Sequence, residues 1–310
     1  MPTWLITGSS SGLGLAITRY ILSQGHNVIA TSRNPAKTPS AVREITAHPN
    51  ARWLTLDVTW SKPDVDAFVR RAWTEFDGID VLVNNAGYSL LGAAEDIPED
   101  GAKAQFEVNF WGAVRATQAV LPLMRERAAA AAPAAGGGGG SGGGGRGDKA
   151  KGTIVNISSV AALDPLPTCA IYSAAKCALE AWSDSLSKEV AGLGIRVLIV
   201  EPGAFRTNFF SKDALQIVGP SAAYRGDEQP VGKTLRVFES VDPDKFGDPM
   251  TAAQRIFEVV MGVGLGERLS SGGDVLRLPL GADCYDRAVK SHEARGKELE
   301  GLKEVALSTT

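Results

Sequence analysis

The 310-residue chain is predicted to fold as one α/β domain over residues 1–310, a doubly wound parallel sheet of about seven strands flanked by helices. Three observations predict this. Short Val/Ile/Leu-rich runs recur along the chain, amphipathic helix-period stretches separate them, and a Gly/Ser turn follows the first run directly. The runs are Trp4–Thr7, Asn27–Thr31, Arg52–Leu56, Val81–Asn84, Thr153–Ile157 and Arg196–Val200, with Val275–Leu278 as a seventh. Their nearly continuous apolar content suits strands covered on both faces. The intervening helices are read at Leu13–Gln24, Pro35–Ala47, Pro63–Phe76, Gly101–Arg127 and Tyr172–Ala191, with two more from about Thr251 and about Asp283. Such a sheet binds ligands beyond the carboxyl ends of its strands, where strand order reverses.

Two stretches depart from this rhythm. Residues 128–147 form an Ala/Gly tract that cannot bury apolar surface; it reads as a loop insertion at the end opposite the site. Residues 205–250 are rich in Pro, Gly and aromatics, and Phe209, Phe210, Tyr224, Val237, Phe238 and Phe246 suggest an apolar lid over the substrate. A formal net charge of −3 without a Lys/Arg block argues against nucleic acid as a partner. No apolar run approaches the ~18 residues of a membrane span, and the first residues contain no signal peptide, so the expectation is a cytoplasmic protein. Cys169, Cys177 and Cys284 are too few and scattered for a disulfide framework or a metal site and read as small buried hydrophobes. His26, His48 and His292, isolated in polar contexts, read as surface residues.

The first strand runs into Thr7-Gly8-Ser9-Ser10-Ser11-Gly12-Leu13-Gly14. The spacing G-x-x-x-G-x-G differs from the general dinucleotide fingerprint, but the physics is shared. Glycines let the backbone approach a pyrophosphate, and free N–H groups at a helix start favour the anion. At the end of the second strand stand Ser32 and Arg33, where an NAD site would place an acid. A guanidinium there suits the 2′-phosphate of NADP(H).

Further on come Asn84-Asn85-Ala86-Gly87, Asn109 within a helix, Asn156-Ile157-Ser158-Ser159, and Tyr172-Ser-Ala-Ala-Lys176. These motifs, in this order, resemble the short-chain dehydrogenase/reductase family, in a subgroup similar to the 17β-hydroxysteroid dehydrogenases. The resemblance implies a Rossmann-type fold and assigns roles. Tyr172 becomes the general acid/base. Lys176, one helical turn on, lowers the phenol pKa of ~10 by about 1–3 pH units and holds the nicotinamide ribose. Ser159, thirteen residues before Tyr172, takes the substrate-oxygen contact in preference to Ser158. Asn109 supports a water that links Lys176 to solvent. The implied cofactor contacts are Gly8, Ser10, Gly12, Leu13 and Gly14 at the pyrophosphate, and Ser32 and Arg33 at the 2′-phosphate. Asp57 and Val58 would lie beside the adenine, with Asn85, Ala86 and Gly87 beside the adenosine ribose. Thr207 and the Phe205 backbone would meet the carboxamide, and Phe205 stands where the family more often has a smaller aliphatic residue.

The reading is therefore an NADP(H)-dependent oxidoreductase moving hydride between nicotinamide and a lipophilic ketone or secondary alcohol, as a homodimer or homotetramer and without a metal. Two rivals stand beside it. One is a non-catalytic NADP-sensing protein on the same fold, against which the presence of both Tyr172 and Lys176 counts. The other makes the Ala/Gly tract and the charged C-terminal helix partner-binding elements of a multienzyme assembly.

Overall fold

Nearly every strand of the main sheet is apolar on both sides because both sides are covered. The computed structural model describes residues 1–130, 152–207, 214–226, 228–240, 242, 245–270 and 275–309. The first half runs β1 (Thr3–Ile6), α1 (Gly12–Ser23), β2 (Asn27–Ser32), α2 (Pro39–Thr46), β3 (Ala51–Thr55), α3 (Lys62–Trp73), β4 (Val81–Asn84), β5 (Ser89–Leu91), α4 (Glu99–Phe106) and α5 (Gly112–Ala130). The second runs β6 (Gly152–Ile157), α6 (Val160–Leu163), α7 (Ala170–Val190), β7 (Ile195–Pro202), β8 (Leu215–Ile217), α8 (Pro230–Ser240), α9 (Pro249–Met261), α10 (Leu265–Ser270), β9 (Arg277–Leu280), α11 (Ala282–Gly301) and α12 (Lys303–Leu307). Seven strands form a parallel sheet in the order β3-β2-β1-β4-β6-β7-β9. Order reverses between β1 and β4, so a crevice opens beyond their carboxyl ends.

Alternation along the strands divides the core. Trp4 and Ile6 of β1 face α1 and α9, among Ile17, Ile21, Ala253 and Ile256. Leu5 faces the other layer, with Phe68 of α3, Val120 of α5 and Leu186 of α7. A chain of polar side chains crosses this core. Asn84 Nδ2 donates to Asn156 Oδ1 (2.8 Å) and to Thr117 Oγ1 (2.9 Å), and Asn156 Nδ2 donates to Ser183 Oγ (2.7 Å), which pins α7 to β4 and β6. Asn156→Ala leaves Asn84 and Ser183 each a partner short. The expected cost is about 1–3 kcal/mol, read as a melting temperature lower by several degrees.

Several elements differ from the sequence expectation. The stretch Pro35–Ala47 divides into a 3₁₀ turn at Pro35–Lys37 and α2, because Pro39 restarts the helix. Gly101–Arg127 begins earlier and ends later, and a π-helical segment, Glu107–Trp111, joins α4 to α5. Ala128–Ala130 of the Ala/Gly tract thus belong to α5, and residues 131–147 lie outside the described residues. The seventh strand is Arg277–Leu280 rather than Val275–Leu278; it lies at the sheet edge, where Pro279 costs no ladder bond on the open side. The stretch 205–250 contains regular structure. β8 pairs in parallel with β5, and α8 packs Val231 and Leu235 against Ala93 and Tyr224. Val237 is 60% exposed and covers nothing, while Phe209 and Phe210 lie outside the described residues.

Two residue readings are corrected. His26 is half-buried: its Nδ1 accepts from Trp4 Nε1 (3.1 Å) and its ring meets Phe257 edge-on at 5.1 Å, so it closes the foot of the core. Cys177 is exposed rather than buried, because it leans off the outer side of α7 with its thiol on the Ala162 carbonyl (3.2 Å). Cys169 and Cys284 are buried, and His48 and His292 are exposed, as read. Among the described residues, no helix is long and apolar enough to cross a membrane.

Candidate active site

The turn after β1 rises over the switch point. Gly8 (φ 71°) and Gly12 (φ 59°) adopt the left-handed conformation that other residues resist. A Cβ on Gly14 would sit 2.3 Å from Gly8 O and 2.3 Å from Asn85 Nδ2, so only hydrogen fits there. No acidic residue lies in the first turn of α1, and Ser11 does not cap it with its side chain. Its N-terminal amide groups therefore face the turn without an internal anion, the arrangement a pyrophosphate needs. These features fit a dinucleotide.

Thr7 ties this turn to the next one. Its hydroxyl accepts from Asn85 N and Ala86 N (both 3.0 Å), and Asn85 Nδ2 donates to the Thr7 and Gly8 carbonyls (2.9 and 3.0 Å). The Asn85 side chain is therefore engaged with the glycine turn itself. Gly87, just beyond, stands between two side chains of the site: a Cβ there would lie 3.2 Å from Asn109 Oδ1 and 3.7 Å from Lys176 Nζ. At the end of β2, Ser32 is buried and its hydroxyl accepts from Trp53 Nε1 (3.1 Å), while Arg33 is exposed. Asp57 turns its Oδ1 back onto Thr59 N and Oγ1 (2.9 and 2.7 Å). Val58 is buried against the place a side chain would occupy at Gly112.

Tyr172 and Lys176 stand one turn apart on α7 beneath the same crevice, with the Lys176 ammonium 5.8 Å from the Tyr172 ring centre. Lys176 Nζ donates to the Ile157 carbonyl (2.7 Å) and is buried, and burial brings its pKa down to about 8 while Glu180 opposes the change. Burial pushes the Tyr172 phenol upward; the nearby Ser159 and Ser89 hydroxyls pull the other way. The expected lowering of the phenol by Lys176 is thus not what this geometry supplies, since burial dominates and the two serines oppose it. Ser159 also accepts from Ala161 N (3.1 Å), which starts α6. Ser158 points elsewhere, to Glu180 Oε1 (2.5 Å).

Asn109 is buried in the π-helical segment, and both ends of its amide are engaged by Tyr88. Tyr88 N donates to Oδ1 (3.0 Å) and Nδ2 donates to the Tyr88 carbonyl (2.8 Å). Across the crevice, Thr207 lies beside Gly12, 3.6 Å from where a Cβ would be. Phe205 bridges to Gly247, and its ring occupies the space a Gly247 side chain would need (2.7 Å). The unusual aromatic at 205 is therefore matched by a glycine 42 residues later. Ser89 escaped sequence reading: it stands on a three-residue strand with no pattern to announce it, and only its place two residues after Gly87 could have signalled it.

Residues 2–132 and 146–216 match the short chain dehydrogenase family, and the chain belongs to that family. It is an oxidoreductase of that family, similar over most of its length to named relatives. Oxidoreductase claN of Passalora fulva is 42% identical over 234 residues, covering 75% of this chain and 92% of that one. The crystal structure of a short-chain dehydrogenase from Streptomyces avermitilis matches over 100% of both chains, with a TM-score of 0.80 and 34% identity. The closed form of a serine dehydrogenase complexed with NADP+ matches with a TM-score of 0.65 and 25% identity, over 90% of this chain and 94% of that one.

Proposed function

We propose that residues 1–310 act as one NADP(H)-dependent unit that interconverts a lipophilic ketone and its secondary alcohol. The observation that carries this reading is the Tyr172 phenol near Ser159 and Ser89 and one helical turn from the buried Lys176, at the carboxyl ends of the switch-point strands. A bound nicotinamide supplies or accepts the hydride. Tyr172 delivers the proton to the carbonyl oxygen, or takes it from the alcohol, and its burial keeps the phenol protonated and ready to donate. Ser159 holds that oxygen in line. Lys176 binds the nicotinamide ribose and returns a proton to the phenol. Because Tyr88 fills the Asn109 amide, the relay water belongs on the Asn109 main-chain carbonyl, in a π-helical segment whose wider spacing loosens such groups.

Gly8, Ser10, Gly12, Leu13 and Gly14 take the pyrophosphate, and Thr207 with the Phe205 backbone takes the carboxamide. Val58 and Asp57 flank the adenine through their backbone, Ala86 and Gly87 flank the ribose, and Asn85 supports them by holding the turn. Ser32 and Arg33 select the 2′-phosphate: with Trp53 occupying its acceptor side, the Ser32 hydroxyl is turned to donate. The likeness to 17β-hydroxysteroid dehydrogenases, the lipophilic substrate, an oligomer of two or four copies and a cytoplasmic setting belong to the same proposal. They rest on motif order and on the apolar stretch around Tyr224 and Phe246.

The test is cofactor consumption with a panel of bicyclic, aromatic and long-chain ketones, run with NADPH and NADH for wild type and Arg33→Ala. Wild type should prefer NADPH, and Arg33→Ala should lose about tenfold or more in NADPH affinity with little change for NADH. Equal losses for both cofactors, or no ketone turned over, would overturn the reading.

A further inference from the structure

Below Lys176 lies a group of buried charges that the proposed reaction leaves unused. Helix α7 carries Tyr172, Lys176, Glu180 and Asp184 at four-residue steps, hence along one face. Lys176 and Glu180 are both buried, at 5% and 7% exposure. Glu180 is held in place by the Ser158 hydroxyl, which donates to Oε1 at 2.5 Å from the residue next to Ser159. Glu201, at the carboxyl end of β7, is buried beyond it, with Oε1 3.6 Å from Arg277 Nε of β9. Arg277 spends its other end on Asp184 (3.0 Å).

The pairing is uneven. Arg277 is taken up by Glu201 and Asp184, and among the described residues Glu180 makes no ion pair within 4 Å. Its electrostatic neighbours are Lys176 on its own helix, Arg277 on β9, Arg295 on α11 and the Glu201 carboxyl on β7. Cys177 on α7 faces Glu180 and Cys284 on α11 faces Glu201, both as thiols pushed upward by partial desolvation. Burial raises Glu180, and raises Glu201 to about 7 with Glu180 adding to it; the pair therefore resists carrying two charges. A carboxylate placed at this cost, fixed by a hydroxyl and without an ion-pair contact among the described residues, shares its charge with Arg277, Lys176 and Arg295, and of these Lys176 is the one that is buried with it, one turn away on the same helix.

We propose that Glu180, moored by Ser158 and backed by Glu201, is a positioning residue that keeps buried Lys176 in its charged form. The inference rests on the reading above that Lys176 holds the nicotinamide ribose.

Removing a buried negative charge beside an ammonium makes that ammonium lose its proton at lower pH. The experiment is fluorescence titration of NADPH alone, from pH 7 to 10.5, against wild type, Glu180→Gln, Ser158→Ala and Lys176→Ala, with melting temperatures alongside. In wild type, NADPH affinity should fall as pH rises through the Lys176 transition. In Glu180→Gln that fall should begin about one pH unit lower, giving a several-fold to tenfold weaker affinity above pH 8 and a difference of only about twofold at pH 7. Ser158→Ala should shift the fall in the same direction by less. A folded Glu180→Gln with the wild-type profile, or one weakened by the same factor at every pH, would overturn the proposal. Should Glu180→Gln not fold, an unshifted Ser158→Ala profile overturns it equally. Lys176→Ala should bind NADPH weakly with no such fall; if it kept the wild-type profile, the assignment of Lys176 itself would be wrong, whatever Glu180 does.

Discussion

Tyr172→Phe is expected to lower kcat by roughly 10²–10⁴-fold or more while leaving NADPH affinity within a few-fold of wild type. The change removes one oxygen from a helix whose packing is otherwise kept. The ring stays between the same neighbours, and Lys176 keeps its bond to the Ile157 carbonyl. No hydrogen bond of the fold among the described residues depends on the phenol oxygen, so the melting temperature should fall by only a few degrees. Among the described residues the neighbouring groups are poor substitutes: the Cys169 thiol lies against the Thr168 hydroxyl, and Ser159 and Ser89 are too weak to donate unaided. The measurement is single-turnover hydride transfer beside NADPH titration. A variant that kept more than about a tenth of wild-type kcat, with chemistry rate-limiting, would take the proton from elsewhere and remove Tyr172 from its assigned role.

Gly14→Ala is expected to do the opposite, striking the fold and the cofactor together. Its methyl group would enter the space between Gly8 O and Asn85 Nδ2, 2.3 Å from each, where those two atoms already share a hydrogen bond of 3.0 Å. Neither neighbour can yield cheaply, because one is backbone and the other also holds the Thr7 carbonyl. Overpacking and a broken bond together cost about 2–4 kcal/mol. Displacing the turn should also weaken NADPH by about 100-fold. Gly12→Ala is the contrast. Its methyl meets only Thr207, at 3.6 Å, and what it costs is the left-handed backbone, about 1 kcal/mol. Thermal melts and NADPH titrations of the two variants should therefore separate clearly; similar losses would mean that the space at Gly14 is not what the sequence protects.

Much of this architecture is legible in the sequence because the parallel strands are buried on both faces and so write themselves as uninterrupted apolar runs. The edges prove the cause: β3 exposes Arg52 and Thr55, and β9 has Arg277 and Pro279 within it, its bounds slipping by two residues from the apolar run that suggested it. Tyr172, Lys176 and the glycine turn are equally legible, since four-residue spacing and left-handed turns are local properties. What sequence does not carry is the environment. Ser89 meets Tyr172 only because the chain folds back after Gly87, and β5 and β8, three residues each, are too short to show a period. The π-helical segment hides in a continuous helical pattern and appears only when Asn109 turns both ends of its amide to Tyr88. Cys177 and His26 depart from expectation for one reason: a residue's neighbours in sequence say little about which face of its element it occupies.

The small ladder between β5 and β8 constrains how this enzyme can be re-engineered. Ser89 pairs with Leu215, Leu90 with Gln216 and Leu91 with Ile217. The stretch that follows β7 is thus stitched to the strand that carries Ser89, a residue near the Tyr172 phenol. A chimera that imports this stretch from a relative must preserve the three-residue register as well as the side chains that greet the substrate. A slip of one residue inverts every side chain of the imported strand. The modular appearance of the segment is therefore deceptive, and breeding new selectivity into it means grafting at a seam that already belongs to the chemistry.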